Sequence, residues 1–143
     1  MNGFGKLAIV LVVGSLVAAC ARSPEERSLY QRLGGEPAIA AVVDDFIANV
    51  AADPVINQRF ARTDIPKLKK LLVEQVCEAS GGGCKYTGRS MRESHRGMNI
   101  TAAEFNAMGG DMLKTLEKFK VPQRERDELM ALLGSMNREI VGQ

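Results

Sequence analysis

The chain has 143 residues, of which 45% are hydrophobic and 25% charged, and its 19 basic and 17 acidic side chains nearly cancel. This length favours one domain, and the balanced charge excludes a nucleic-acid protein built on a dense basic face. High apolar content with low net charge also excludes a disordered chain. The single histidine, His95, excludes metal sites that need two imidazoles.

Residues 1–19 are typical of an export signal. Lys6 precedes an apolar stretch, residues 7–19, which is shorter than the roughly 20 residues needed to span a bilayer and ends in small residues. The ending before Cys20 resembles a bacterial lipobox, whose cysteine is lipidated. By resemblance to Gram-negative sorting signals, Ala21 favours a periplasm-facing lipoprotein of the outer membrane. A plain signal peptide that leaves Cys20 as a free thiol stays open.

Caps and apolar periodicity predict three helices in the first part of the mature chain. A first, short helix is expected from Ser23 to Gly34, because a cap is followed by proline and by glutamate three residues later. A second helix ends near Asp53, and a third begins around Asp64 and ends at the glycines 81–83. The apolar residues of the last two recur at spacings of three and four, and they are Ile39, Val42, Val43, Phe46, Ile47 and Val50, then Ile65, Leu68, Leu71, Leu72, Val76 and Ala79.

The remaining chain also predicts helices. Residues 89–96 have room for two helical turns, a capping box at Thr101 begins a longer helix, and one last helix follows Pro122. Their apolar stripes are Phe105, Met108, Met112, Leu116 and Phe119, then Leu129, Leu132, Leu133, Met136 and Ile140. No segment alternates like a strand, so the predicted class is all-α. Residues 20–27 form a tether and the start of the first helix, and residues 28–143 form one domain.

Cys77 and Cys84 flank a serine and three glycines. Their spacing matches no common zinc pattern. In an oxidising compartment the two thiols can form a disulfide. Two reduced, partly buried thiols remain the alternative.

His95 is the residue most able to carry chemistry. An isolated histidine is usually a polar residue satisfied by its neighbours. One imidazole can nevertheless hold a metal when a cofactor supplies the other ligands, as in haem with its porphyrin nitrogens and one proximal histidine. The Met- and Phe-rich stripes could line such a pocket, although such stripes are by default core.

Short motifs follow one another in order along residues 28–142. They are residues 29–35 (Leu-Tyr-Gln-Arg-Leu-Gly-Gly), 42–46 (Val-Val-Asp-Asp-Phe), Phe60, 81–82 (Gly-Gly), 86–88 (Tyr-Thr-Gly), 91–95 (Met-Arg-Glu-Ser-His), Gly97, 100–101 (Ile-Thr), Phe105 and 121–122 (Val-Pro). In this order and spacing they resemble the truncated haemoglobins of group 1. The resemblance implies a two-over-two helical sandwich around haem b, with His95 as the proximal iron ligand.

The same resemblance implies which side chains line the haem. Phe60 matches the phenylalanine that stacks on the haem in this family. The other residues expected against the porphyrin are Leu68, Leu71, Leu72, Met91, Ile100, Phe105, Met108 and Met112.

The distal side departs from the family pattern. Ile47 stands where the group usually has a tyrosine that donates a hydrogen bond to O₂, and Leu68 and Leu72 stand where polar side chains are common. Leu71 replaces the histidine or lysine that ligates iron in some members, so five-coordinate iron is expected. Gln75 is the one obvious polar residue on that face, and either it donates to a ligand or it points to solvent.

The resemblance thus implies a protein that reversibly binds diatomic ligands (O₂, NO and CO) in an unusually apolar pocket. Two alternatives stay open: a haem redox enzyme such as an NO-detoxifying dioxygenase, and a globin-fold adaptor lipoprotein without haem. No distal histidine or arginine lies at a motif position for peroxide cleavage, which disfavours a peroxidase. The sequence identifies no electron donor and gives no reason to expect a nucleic-acid partner.

Overall fold

The computed structural model describes residues 27–143, and within this range the chain folds into helices and loops. The helices are α1 (Leu29–Arg32), α2 (Gly35–Ala52), a 3₁₀ helix (Asn57–Phe60), α3 (Ile65–Ala79), α4 (Met91–His95), α5 (Ala102–Lys118), α6 (Gln123–Gly134) and α7 (Asn137–Ile140). The only β-type pairing in the described range is an isolated parallel bridge between Ile100 and Val141. The all-α prediction is therefore confirmed.

The predicted export signal, Cys20 and most of the tether lie outside the described residues. Within residues 27–143, none of the helices combines the length and the apolar character that crossing a membrane requires.

Helix α2 is the central element. It packs against both α3 and α5, and it also contacts α1 and the 3₁₀ helix. Its predicted apolar stripe is largely buried, with Val43 and Val50 each 1% exposed. Because α5 also packs against α6, the pairs α2–α3 and α5–α6 form the two layers of the predicted two-over-two sandwich.

Most helix ends match the sequence signals. Asp53 caps the C-terminus of α2, Asp64 caps α3 by accepting a hydrogen bond from the Lys67 amide, and Thr101 forms a capping box with Glu104 at the start of α5. The Asp64 and Thr101 side chains accept from first-turn amides, and the Asp53 backbone amide donates to the Asn49 and Val50 carbonyls. Each contact satisfies backbone groups that have no partner inside a helix. The predicted end of α2, both predicted ends of α3 and the predicted start of α5 are confirmed.

Two helix predictions are wrong. The first helix does not run unbroken from Ser23, because residues 27 and 28 are not helical and Ser28 caps α1 with a capping box. The single last helix is divided into α6 and α7, since the chain turns at Ser135, whose hydroxyl donates to the Leu132 carbonyl at 2.6 Å. Gly134 directly before the turn also weakens helix continuation.

Helix α1 joins the end of α3 to α6. The Tyr30 amide donates to the Ser80 carbonyl at 2.9 Å, and the Arg32 guanidinium pairs with Glu125 of α6 at 3.0 Å. Gly82 lies so close to Tyr30 that an added Cβ would be 2.7 Å from its ring carbons. This corner therefore needs a residue without a side chain.

Candidate functional site

His95 is half-buried at the end of the short helix α4. Its Nδ1 atom lies 2.8 Å from the Met91 carbonyl oxygen and 3.1 Å from the Ser94 hydroxyl. A carbonyl oxygen can only accept, so the contact with Met91 requires the proton on Nδ1. The neutral imidazole then has its free lone pair on Nε2, where it can bind a metal.

Helix α4 is held from one side by the end of the chain. Arg92 donates to the Gln143 side chain at 2.9 Å, and the Gln143 carbonyl accepts from the Asn99 amide at 2.8 Å. The Gly142 amide donates to the Ile100 carbonyl at 3.0 Å. These contacts attach residues 142 and 143 to α4 and to the segment that follows it.

A second set of hydrogen bonds ties the loop before α4 to α3. Both the amide and the hydroxyl of Thr87 donate to Glu74, at 3.0 and 2.6 Å, and these bonds lower the pKa of the Glu74 carboxyl. The Tyr86 amide donates to Glu78 at 3.2 Å. The structure also pairs Cys77 with Cys84, whose Cα atoms are 5.7 Å apart, a separation that a disulfide can span.

The predicted haem-lining side chains and the predicted distal residue Ile47 fall into three groups by burial. Met112 and Ile47 are in the core, 5% and 7% exposed. Four are half-buried and pack against the core cluster, and they are Phe60, Leu68, Leu72 and Met108. Four more are half-buried but do not belong to that cluster, and they are Leu71, Met91, Ile100 and Phe105. A large apolar group could bury the remaining surface of the last two groups.

Gln75 and the methionines around it form a contact that the sequence did not predict. The amide nitrogen Nε2 of Gln75 donates to the Met91 sulfur at 3.2 Å and to the Met136 sulfur at 3.3 Å. Met136 was predicted as an apolar residue of one continuous last helix. Its place beside Gln75 depends on the turn between α6 and α7, for which the stripe gave no signal.

Sequence reasoning also missed an ion pair next to Phe60. The Arg59 guanidinium makes two hydrogen bonds to the Glu104 carboxylate, at 2.7 and 3.1 Å, and a third to the Met98 carbonyl at 3.0 Å. Arg59 thus connects the 3₁₀ helix to the loop after His95 and to the start of α5. The hydrogen bonds from Arg59 and then Thr101 hold the pKa of Glu104 at about 2.

Within residues 27–143, no three His, Cys, Asp or Glu side chains converge to hold a metal ion by themselves.

A family model of bacterial-like globins matches residues 28–141. The chain belongs to this family. Among its curated relatives, a group 1 truncated haemoglobin of Mycolicibacterium paratuberculosis is 33% identical over 119 residues, which cover 83% of this chain and 88% of the relative. Another, from Synechocystis, is 34% identical over 112 residues, with coverages of 76% and 90%. The protein is thus a truncated globin of the kind that the sequence motifs resemble.

Solved structures agree with the globin assignment. The truncated haemoglobin of Tetrahymena pyriformis, in its Fe(III) form, superposes with a TM-score of 0.79 at 28% identity, covering 82% of this chain and all of that one. The 2/2 haemoglobin of Synechococcus superposes with a TM-score of 0.74 at 32% identity, with coverages of 79% and 95%. The two-over-two globin fold predicted from the sequence is confirmed.

We expect Glu104→Gln to lower the thermal stability of this globin at neutral pH. Glutamine can keep the capping box, so the substitution removes mainly the charge that pairs with Arg59. Because the pKa of Glu104 is about 2 when folded and ordinarily 4.5, its stabilising contribution is full above pH 4.5 and is lost as the pH falls through about 2.

Thermal unfolding followed by circular dichroism, from neutral pH down to about pH 2, measures this effect. The melting temperatures of wild type and variant should differ most at neutral pH and converge in acid. Glu117→Gln is the matched control, since Glu117 is an exposed carboxylate of the same helix, paired with Arg126, and such pairs contribute little. A constant difference at every pH would contradict the role of the Glu104 charge.

Proposed function

We propose that this truncated globin binds haem b through His95 and uses it to bind small diatomic gases. The observation that carries the proposal is the hydrogen bond from Nδ1 of His95 to the Met91 carbonyl. It places the proton on Nδ1, so that the neutral imidazole has Nε2 unprotonated, which is the form that an iron ligand needs. The globin family membership supports haem as the group that brings the iron.

The residues proposed to hold the haem are apolar, and most of them are half-buried. Phe60 is proposed to stack on the ring. The other proposed contacts are Leu68, Leu71, Leu72, Met91, Ile100, Phe105, Met108 and Met112, of which all but Met112 keep some exposed surface. Covering this surface would be favourable by about 25 cal/mol for each Å² of apolar area buried.

When bound, haem would supply a five-coordinate iron with one open position for O₂, CO or NO. The proposed distal residues Ile47, Leu68 and Leu72 carry no hydrogen-bond donor. A hydrogen bond contributes about 1 kcal/mol, a several-fold change in affinity. We therefore propose weak retention of O₂, with less effect on CO and NO because these ligands need less polar support.

His95→Ala tests the haem proposal directly. The wild-type protein, expressed with haem supplied, should show a Soret band in its visible spectrum, and the variant should lose or shift that band because it lacks the iron ligand. Arg96→Ala changes an exposed neighbour and should keep the wild-type spectrum. A folded wild type without colour, or an unchanged spectrum in His95→Ala, would refute the proposal.

Ile47→Tyr tests the apolar distal pocket. The new hydroxyl should hold O₂ and slow its release from the haem-loaded protein several-fold relative to Ile47→Phe. The phenylalanine variant matches the bulk of the tyrosine without its donor, so the comparison isolates the hydrogen bond. Stopped-flow measurement of O₂ release checks this, and equal rates in the two variants would place Ile47 away from the ligand.

We also propose that the protein is an exported, periplasm-facing lipoprotein anchored at Cys20. The signal-like residues 1–19 support export, and the lipobox-like ending supports lipidation. A disulfide between Cys77 and Cys84 is proposed with it, since such bonds persist in oxidising compartments and the paired Cα atoms are 5.7 Å apart.

Cys20→Ser should abolish incorporation of a labelled fatty acid in a bacterial host, because the thiol is the proposed attachment atom. Cys77→Ser, which removes a different cysteine, should be labelled like the wild type. Detection by gel autoradiography decides the matter, and persistent labelling of Cys20→Ser would exclude Cys20 as the anchor.

A further inference from the structure

Helix α4 has only five residues, so its position depends on what surrounds it. A helix this short is not stable alone, because the cost of nucleation exceeds the gain from its few hydrogen bonds. The end of the chain holds α4 through Gln143. Among the hydrogen bonds of residues 27–143, those from α3 to α4 come from Gln75 alone.

The carboxamide of Gln75 has two N–H groups and two sulfur partners. Its Nε2 lies 3.2 Å from the Met91 sulfur and 3.3 Å from the Met136 sulfur. Gln75 is half-buried, and a partly buried donor without a partner is unfavourable. Both recorded hydrogen bonds of this amide are thus to methionine sulfurs.

Met91 connects this contact to the histidine. Its side chain accepts from Gln75, while its main-chain carbonyl accepts from Nδ1 of His95 at 2.8 Å. A shift of Met91 therefore changes the hydrogen bond that sets the orientation and basicity of the imidazole. Hydrogen-bond acceptors for the second ring nitrogen set the orientation and the basicity of metal-bound histidines.

We propose that Gln75 is a positioning residue for His95, acting through the sulfurs of Met91 and Met136. This inference rests on the proposed function, because His95 has to be the iron ligand for the effect on iron to exist. Of the two alternatives that the sequence left open for Gln75, donation to the distal ligand is the competing role, and it stays a prediction.

The two roles give different spectroscopic signatures in the haem-loaded protein. Gln75→Met keeps the side-chain length but removes both donors. A positioning role predicts a lower iron–histidine stretching frequency in the ferrous protein, since the imidazole loses basicity, with the C–O stretch of the CO complex unchanged. A ligand-donor role predicts a shifted C–O stretch with an unchanged iron–histidine frequency, together with faster O₂ release.

Met91→Leu supplies the decisive comparison. It removes the sulfur but keeps the main-chain carbonyl, so it should shift the iron–histidine band in the same direction as Gln75→Met. The double variant should shift the iron–histidine band no further, because either single substitution already removes the Gln75–Met91 hydrogen bond. Gln58→Met is the control, since Gln58 is exposed on the 3₁₀ helix, and it should leave both bands unchanged.

Thermal unfolding of the haem-free protein provides a second readout. The losses in melting temperature from Gln75→Met and Met91→Leu should be less than additive in the double variant, because the two residues share one contact. Gln75→Leu repeats the test with a shorter side chain if the methionine variant does not fold.

Additive losses, or an unshifted iron–histidine band in Gln75→Met, would overturn the positioning role. A shift confined to the C–O band would overturn it in favour of the ligand-donor role. Failure of the proposed function is recognised separately, since it leaves the wild type without an iron–histidine band. The unfolding data then still decide whether Gln75 and Met91 are coupled.

Discussion

The length of α4 is the constraint on which the site depends. One turn and a half of helix carries the only histidine of the chain, and so short a helix takes its position from tertiary contacts. Four groups of contacts supply it: the Thr87 hydrogen bonds to α3 before the helix, the Gln75 bond to Met91 within it, the Gln143 contacts beside it, and the Arg59 bond to Met98 after it. These hydrogen bonds around α4 therefore stabilise the position of one imidazole.

The same organisation explains why so much apolar surface stays outside the core. The buried cluster is built around α2, with contributions from α3, α5 and α6. Leu71, Met91, Ile100 and Phe105 are half-buried without joining it. Burial of large apolar side chains normally stabilises a fold. Apolar side chains that stay partly exposed are therefore consistent with a site for an apolar cofactor.

The sequence predicted what depends on local signals. Periodic apolar residues and capping residues determine α2, α3 and α5, because both act within a few positions along the chain. The turn at Ser135 was missed because an apolar stripe continues across it. The Arg59–Glu104 ion pair joins residues 45 positions apart, and the Gln75–Met136 contact joins residues 61 apart. Contacts like these depend on how the helices cross, which no short motif encodes.

Met91 makes two contacts with two different parts of the residue, the main-chain carbonyl and the side-chain sulfur. The partner of His95 is a main-chain oxygen, which every amino acid possesses, whereas the partner of Gln75 is a sulfur, which methionine supplies. Point mutation at this position can thus remove the second contact but leaves the first in place while the helix persists. Substitution at position 91 therefore acts on the imidazole by moving its acceptor, and it cannot remove that acceptor.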